Sequence, residues 1–290
     1  MCRLLGIVAS ELTEFGLVLT EAPRCLATLS REHPDGWGIA IHKAPDAPGS
    51  AADDSTRTLG EDPWQTHKGT APAGEDSRFR EIAARSRGHL LIAHIRQKTV
   101  GPTSLENTHP FVNDGWVFAH NGTIKNQDEV RARCSGRRLR EITGDTDSEL
   151  FFAYVLTRFD ENNLVRLETD SARDLATKLV HELSAEMRDL RIGAFNFVLS
   201  DGQTTFAHRF GRSLFVLERG PSDPTRELHS ATTGATITTK WTARRRAVFI
   251  ASERVTDEPW REVEDGTLLR IERMPAPRIV ATISDEQRVA

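Results

Sequence analysis

A cysteine at the second position of this 290-residue chain is a special chemical case. Once Met1 leaves, Cys2 carries a thiol and a free α-amine on one residue, within reach of each other directly or through one water. An α-amine titrates near ~7.7–8.0 and a cysteine near ~8.5, so the amine can take the thiol proton at neutral pH without a histidine. Asn121-Gly122, after a short apolar run, can offer one side-chain amide and one backbone N–H to the oxyanion formed when a thiolate attacks a carbonyl. Arg96, just beyond another apolar run, can clamp a carboxylate through two parallel N–H bonds, and Asp147 near a helix start can accept from an ammonium. An amino acid carries both of those groups. Each feature has a plainer alternative: a chance second residue, a hairpin turn, a surface charge, an ordinary acid at a helix start. Their combination with Cys2 is what carries weight. His33, His94, His109 and His120 lack the i, i+4 spacing of a zinc helix and no carboxylate set completes a ligand list. They are expected in strand-end packing and pocket hydrogen bonds, and neither a metal nor a cofactor is expected.

The elements that must position these residues follow from periodicity and turn residues. Leu4–Ala9, Gly38–His42 and Leu90–Ile95 are strand-length apolar runs, and Trp116–Ala119 is another, broken by the turn signal His120-Asn121-Gly122. Pro23–Arg31 reads as a helical turn or two and Arg78–Ser86 as a helix. Thr146-Asp147-Ser148-Glu149 has capping-box spacing ahead of Leu150, Phe151, Tyr154, Val155 and Phe159, so a helix begins at Thr146. Ala172, Leu175, Leu179, Leu183 and Met187 form the apolar stripe of a second long helix that ends before Gly193. Strand-like runs follow at Phe195–Leu199, Thr204–His208, Leu214–Leu217, Ala247–Ser252, Leu268–Ile271 and Ile279–Ile283. Lys43–Ser55 and Thr70–Asp76 lack periodicity and read as surface excursions. Strands at both ends with two long helices between them suggest layered sheets covered by helices.

Composition narrows the partners. A formal charge of −4 and a pI near 6.2 give no basic field for nucleic acid or an acidic membrane, so a small-molecule substrate is the default. Arg131, Arg133, Arg137, Arg138 and Arg140, and the run Arg244–Arg246, have no interleaved aromatics and read as solvated polar faces. Cys2, Cys25 and Cys134 form no C-x-x-C pair, which suits a reducing cytosol. The N-terminus lacks a signal peptide and no apolar run reaches membrane-spanning length, so a cytoplasmic protein is expected, with Met1 removed by aminopeptidase.

The motifs Met1-Cys2-Arg3-Leu4-Leu5-Gly6, His33-Pro34-Asp35-Gly36-Trp37-Gly38, Ala93-His94-Ile95-Arg96, Asn107-Thr108-His109-Pro110-Phe111, Ala119-His120-Asn121-Gly122 and Thr146-Asp147-Ser148-Glu149 occur in that order. Together they resemble the class II glutamine amidotransferases, especially stand-alone bacterial members. Phe195–Gly202 and Ala251-Ser252-Glu253 resemble those members' later strands. The loop after Arg96 departs from the family's usual Trp and Thr-His-Gly, reading Gln97-Lys98-Thr99-Val100-Gly101.

The resemblance implies an α+β, four-layer αββα N-terminal-nucleophile hydrolase fold, with residues 1–290 as a single domain. It implies Cys2 as nucleophile and base, with the Asn121 side chain and Gly122 backbone as the oxyanion hole. Arg96 would hold a glutamine α-carboxylate, Asp147 the α-ammonium, and Thr99 and His109 would line the pocket. The implied reaction is hydrolysis of the γ-amide of glutamine, or of a γ-glutamyl amide as in ergothioneine-pathway relatives, through a γ-glutamyl thioester. Alternatives are a glutaminase subunit feeding ammonia to a separate synthetase, another N-terminal-cysteine acylase, and a catalytically silent binding module.

Overall fold

The first strand, β1 (Arg3–Glu14), is apolar on both faces and therefore has to lie inside a sheet covered on both sides. Leu4 and Val8 join one buried cluster, while Leu5, Ile7 and Ala9 join another. The computed structural model describes residues 2–42, 63–99, 101–223, 226–229, 236–239 and 245–284. The other strands are β2 (Trp37–His42), β3 (Trp64–Gly69), β4 (Arg87–Ile95), β5 (Phe111–Asn113), β6 (Trp116–Ile124), β7 (Gly193–Ser200), β8 (Thr204–His208) and β9 (Phe215–Arg219). They continue with β10 (Arg226–His229), β11 (Thr236–Thr239), β12 (Ala247–Ala251), β13 (Arg261–Glu262), β14 (Leu268–Glu272) and β15 (Arg278–Ile283).

Sheet one has the order β13-β9-β12-β1-β4-β2-β3 and sheet two the order β15-β14-β8-β7-β6-β5, and the strand pairs in both are antiparallel. β10 and β11 form a separate ribbon. Between the sheets, Leu4, Val8, Ile92 and Ile250 from the first meet Val117, Ala119, Val198 and Leu269 from the second.

The outer face of sheet one is covered by a π-helical turn at Leu17–Glu21 and by α1 (Leu26–Leu29) and α2 (Ser77–Arg85), through Leu19, Leu26, Phe79 and Ala83. Sheet two is covered by α5 (Asp147–Glu161) and α6 (Asp170–Asp189), with the short α3 (Gln127–Arg131) and α4 (Gly136–Glu141) packed beside α5. The architecture is the expected four-layer αββα sandwich. The Thr146 hydroxyl accepts from the Glu149 N–H and so starts α5 as the capping spacing predicts. The reciprocal half of a capping box is replaced: the Glu149 carboxylate accepts from Thr143 and Gly144.

Four expectations need correction. His120-Asn121-Gly122 is not a turn, because β6 runs on to Ile124 with its pairing to β7 unbroken. Arg138 is not on a solvated face: it is 3% exposed and paired bidentately with Asp160. Leu175 faces solvent rather than the core of the α6 stripe. Apolar-run reasoning also passes over β3 and β5, whose Gln65, Thr66, His67, Lys68 and Asn113 interrupt any apolar pattern. The Lys43–Ser55 excursion and Arg244 lie outside the described residues.

Candidate active site

Cys2 sits two residues before Leu4, on the face of β1 that looks into the space between the sheets. Its neighbour across the sheet is the end of β4, since Arg3 pairs with Ile95. There the Gln97 N–H donates to Cys2 Sγ at 3.2 Å, and the thiol lies 3.3 Å from the Gln97 carbonyl. Burial pushes the thiol pKa up, while the Gln97 amide and the positive charge of Arg96 act in the opposite direction. A thiol held this way needs a base before it attacks.

Arg96 continues the β4 alternation, so it shares the inner face with Ile92 and His94. The Arg96 N–H donates to Gly36 at 2.8 Å, and Nη1 donates to the Pro102 carbonyl at 3.0 Å. Burial lowers its pKa, and the proximity of Cys2 and Asp35 works against that. Asn107 ties the loop beyond Arg96 to the approach to α5: Nδ2 donates to the same Pro102 carbonyl, and Oδ1 accepts from the Asp145 N–H at 2.7 Å. Sequence reasoning gave Asn107 no role; its signal is a buried amide beside Gly101, whose φ of +70° bends the loop onto it.

Asn121 and Gly122 lie on β6, in sheet two. Val117 and Ala119 point into the inter-sheet cluster, so Asn121 does as well, while Phe118 and His120 face α5. The Asn121 carboxamide makes no hydrogen bond among the described residues. Gly122 pairs with Phe195, but the Phe195 N–H donates to Phe210 on the far side of β7. Antiparallel partners point their polar groups the same way in or out of the ladder, so the Gly122 N–H faces away from β7. β5 ends opposite Phe118 and leaves that flank of β6 without a strand. Only glycine fits here, because a Cβ would lie 1.9 Å from the Ala194 carbonyl oxygen and 2.6 Å from His120 Nε2.

Asp147, 3% exposed at the start of α5, accepts from the Ile124 N–H at 2.6 Å through Oδ2, which pins the helix end to β6 two residues past Gly122. Its Oδ1 lies 3.4 Å from Ser148 Oγ, and Ser148 Oγ is 2.8 Å from His120 Nδ1. Of the remaining expected pocket residues, Thr99 is exposed on the loop after Arg96. His109 is buried with its ring 4.3 Å from His94 and 4.6 Å from Phe111, inside the wall. Buried His94, His109 and His120 thus form a rank behind Cys2 and Arg96, and burial lowers the pKa of all three. A separate cavity of about 120 Å³ lies between β5, α4 and α5, lined by Lys68, Phe111, Arg138, Glu141 and Glu149.

A thiol at one sheet end, a buried guanidinium beside it, and an unengaged carboxamide with an off-ladder N–H on the facing sheet suit acyl transfer from an amino-acid amide. A family profile for class-II glutamine amidotransferases matches residues 1–288. The chain belongs to that family. Relatives of this class-II glutamine amidotransferase family chain include a Haemophilus influenzae protein named for the same family, 29% identical over 76% of this chain and 67% of its own. A γ-glutamyl-hercynylcysteine sulfoxide hydrolase of Mycobacterium tuberculosis is 29% identical over 43% of this chain and 50% of its own. The fold is shared with the crystal structure of a predicted glutamine amidotransferase of Pseudomonas aeruginosa, at a TM-score of 0.59 and 22% identity over 96% of this chain and 99% of that one.

Proposed function

We propose that this chain hydrolyses the γ-amide of glutamine or of a γ-glutamyl amide, with Cys2 as the nucleophile of a γ-glutamyl thioester. After loss of Met1, the α-amine of Cys2 takes the thiol proton, and the thiolate attacks the γ-carbonyl. The oxyanion accepts from Asn121 Nδ2 and the Gly122 N–H, the protonated α-amine returns its proton to the leaving ammonia or amine, and water then releases glutamate. Arg96 holds the α-carboxylate and Asp147 the α-ammonium, with Thr99 and His109 near the rim and wall of the pocket. No cofactor or metal takes part in this scheme.

What supports the reading most is that Cys2 and Arg96 at the end of sheet one and Asn121 on sheet two lie on strand faces turned to the space between the sheets, with the Gly122 N–H turned out of the β6–β7 ladder. The Mycobacterium tuberculosis relative's name favours a γ-glutamyl amide as substrate. The family match over residues 1–288 supports one domain. We take the site of action to be the cytoplasm; no described helix is long and apolar enough to cross a membrane.

The test is glutamate release from glutamine and a panel of γ-glutamyl amides, using protein whose N-terminus is checked by intact mass. Wild type is expected to release glutamate and Cys2→Ala to lose at least about 10³-fold in rate. Release that survives Cys2→Ala, or none from processed wild type with any substrate, sinks the hydrolase reading; rescue by an added ammonia-accepting synthetase would instead mark a partner-dependent glutaminase.

A further inference from the structure

The nucleophile and the oxyanion donors stand on different sheets, so their separation depends on how sheet one and sheet two pack. In the middle of the sandwich that packing is aliphatic, through Leu4, Ile92, Val117, Ala119 and Val198, and aliphatic contact has no preferred direction. A shift of about 1 Å between reacting groups costs on the order of 10²-fold in rate. At the catalytic end a directional bond crosses the gap. His94 Nε2 lies 3.2 Å from the carbonyl oxygen of His120.

Both ends of this bond are placed by the elements that carry the site. His94 is on β4, directly opposite Leu4 of β1 and two residues before Arg96. His120 immediately precedes Asn121. By the alternation established for β6, the His120 carbonyl and the Gly122 N–H emerge on the same flank, the one that β5 leaves uncovered. A carbonyl oxygen only accepts, so Nε2 must carry the proton. Nδ1 is buried and makes no hydrogen bond among the described residues, so the ring acts as a one-donor spacer rather than a relay. Burial drives the His94 pKa down to about 3, which keeps the ring neutral at working pH, and the His109 ring packed 4.3 Å away fixes its tilt.

We propose that His94 is a positioning residue: its Nε2–H holds the open flank of β6 against the nucleophile sheet and so sets where Asn121 and the Gly122 N–H stand relative to Cys2. This rests on the reading of Cys2 as nucleophile. His94 touches no substrate and transfers no proton.

Three variants separate this role from mere filling of space. His94→Gln carries an amide N–H close to the place of Nε2, His94→Asn carries one only as far out as Nδ1, and His94→Leu carries none. Kinetics of glutamate release are expected to show kcat within about threefold of wild type for Gln, and about 10²-fold lower for Asn and Leu. KM should stay within about twofold throughout, and Cys2 should be alkylated by iodoacetamide at the wild-type rate. Equal kcat for Gln and Asn, or a loss carried by KM, overturns the proposal. Gln and Asn bury the same polar group, so a shared folding defect, followed by thermal melting, cannot mimic the expected difference.

Long-range ¹H–¹⁵N NMR of the Cys2→Ala protein reads the bond without any turnover. The expected result at neutral pH is a His94 ring protonated at Nε2 and bare at Nδ1; the opposite tautomer overturns the proposal. Wild-type protein that releases no glutamate while His94 shows the expected tautomer overturns the reading of Cys2 and, with it, the role of His94.

Discussion

Two buried arginines, one on α4 and one just past the end of β4, are driven in opposite directions. Arg138, 3% exposed, is raised in pKa despite its burial because Asp160, Glu141 and Asp114 surround it. Arg96, also 3% exposed, is lowered by burial, with only Cys2 and Asp35 acting the other way. Arg138 is committed to carboxylates of its own chain and holds α4 to α5. Arg96 has its desolvation cost already met by the fold, with Asp35 and Cys2 as the charges nearest to it, so a carboxylate arriving at its guanidinium meets a group that burial has already stripped of water.

The sharpest way to break this contrast is to truncate each arginine. Arg96→Met is expected to raise KM for the γ-glutamyl substrate by roughly 10²-fold or more, the scale of losing a buried charge-assisted pair, with thermal stability little changed. Arg138→Met should leave KM alone and lower stability by about 1–3 kcal/mol, because half-exposed Asp160, Glu141 and Asp114 are left without the cation they share. Urea melts and steady-state kinetics on both variants check this. A KM effect at Arg138, or a stability loss of that size at Arg96, removes the distinction.

Burial without carboxylates should also show in acid. Burial brings His94 and His208 down to about 3 and lowers His109 well below the ordinary value near ~6.5. Between those limits the unfolded chain binds protons that the folded chain refuses, so stability is complete above about pH 6.5 and falls as pH drops toward 3. The slope is about 1.4 kcal/mol per pH unit for each such histidine. Urea midpoints at pH 7.5 and 5.5 should differ accordingly, and a flat profile would mean these rings are hydrated.

The smallest effect concerns Lys68, a third enclosed cation beside the cavity that Arg138 also lines, with Nζ 5.2 Å from the Phe111 ring centroid. Burial lowers its pKa to about 8, against the opposing pull of Glu149 and Glu106. At pH 8 about half of it is then the reactive free amine, so peptide mapping after brief acylation should find Lys68 labelled several-fold faster than exposed lysines. Slower labelling would place Lys68 with Arg138, as a cation held by its neighbours.

What could be read from the sequence follows the same division between local and cross-sheet contacts. β1, β4, β7 and β14 are apolar-rich runs with flanking turn residues, and α5 and α6 each follow a capping threonine, so their existence is written locally. β3 and β5 exist because neighbouring strands recruit them, and their own residues do not announce it. At the site, residue type and motif order put forward Cys2, Arg96, Asn121 and Asp147; the first three lie on strand faces turned to the space between the sheets, while Asp147 is tied to the Ile124 N–H, and their roles stay with the proposal. Asn-Gly was misleading about conformation: it is the strongest turn dipeptide, yet Gly122 is there because Ala194 and His120 leave no room for a Cβ. His94, Asn107 and Ser148 act through bonds to backbone or to residues on other elements, and no spacing rule anticipates such partners.

β1 lies in the interior of sheet one, and one of its two neighbours is β12, where Leu5 pairs with Ala251. Within this sequence β1 thus precedes, by nearly the whole fold, the partner that gives it its second neighbour. At about 5–20 residues per second, roughly 12–50 s of synthesis separate Cys2 from β12. Throughout that interval β1 lacks one of its two neighbours. The topology acts as a timer: if Cys2, Arg96 and Asn121 act as proposed, all three are made early, yet the sheet that holds Cys2 in place is not closed around β1 until β12 has been made.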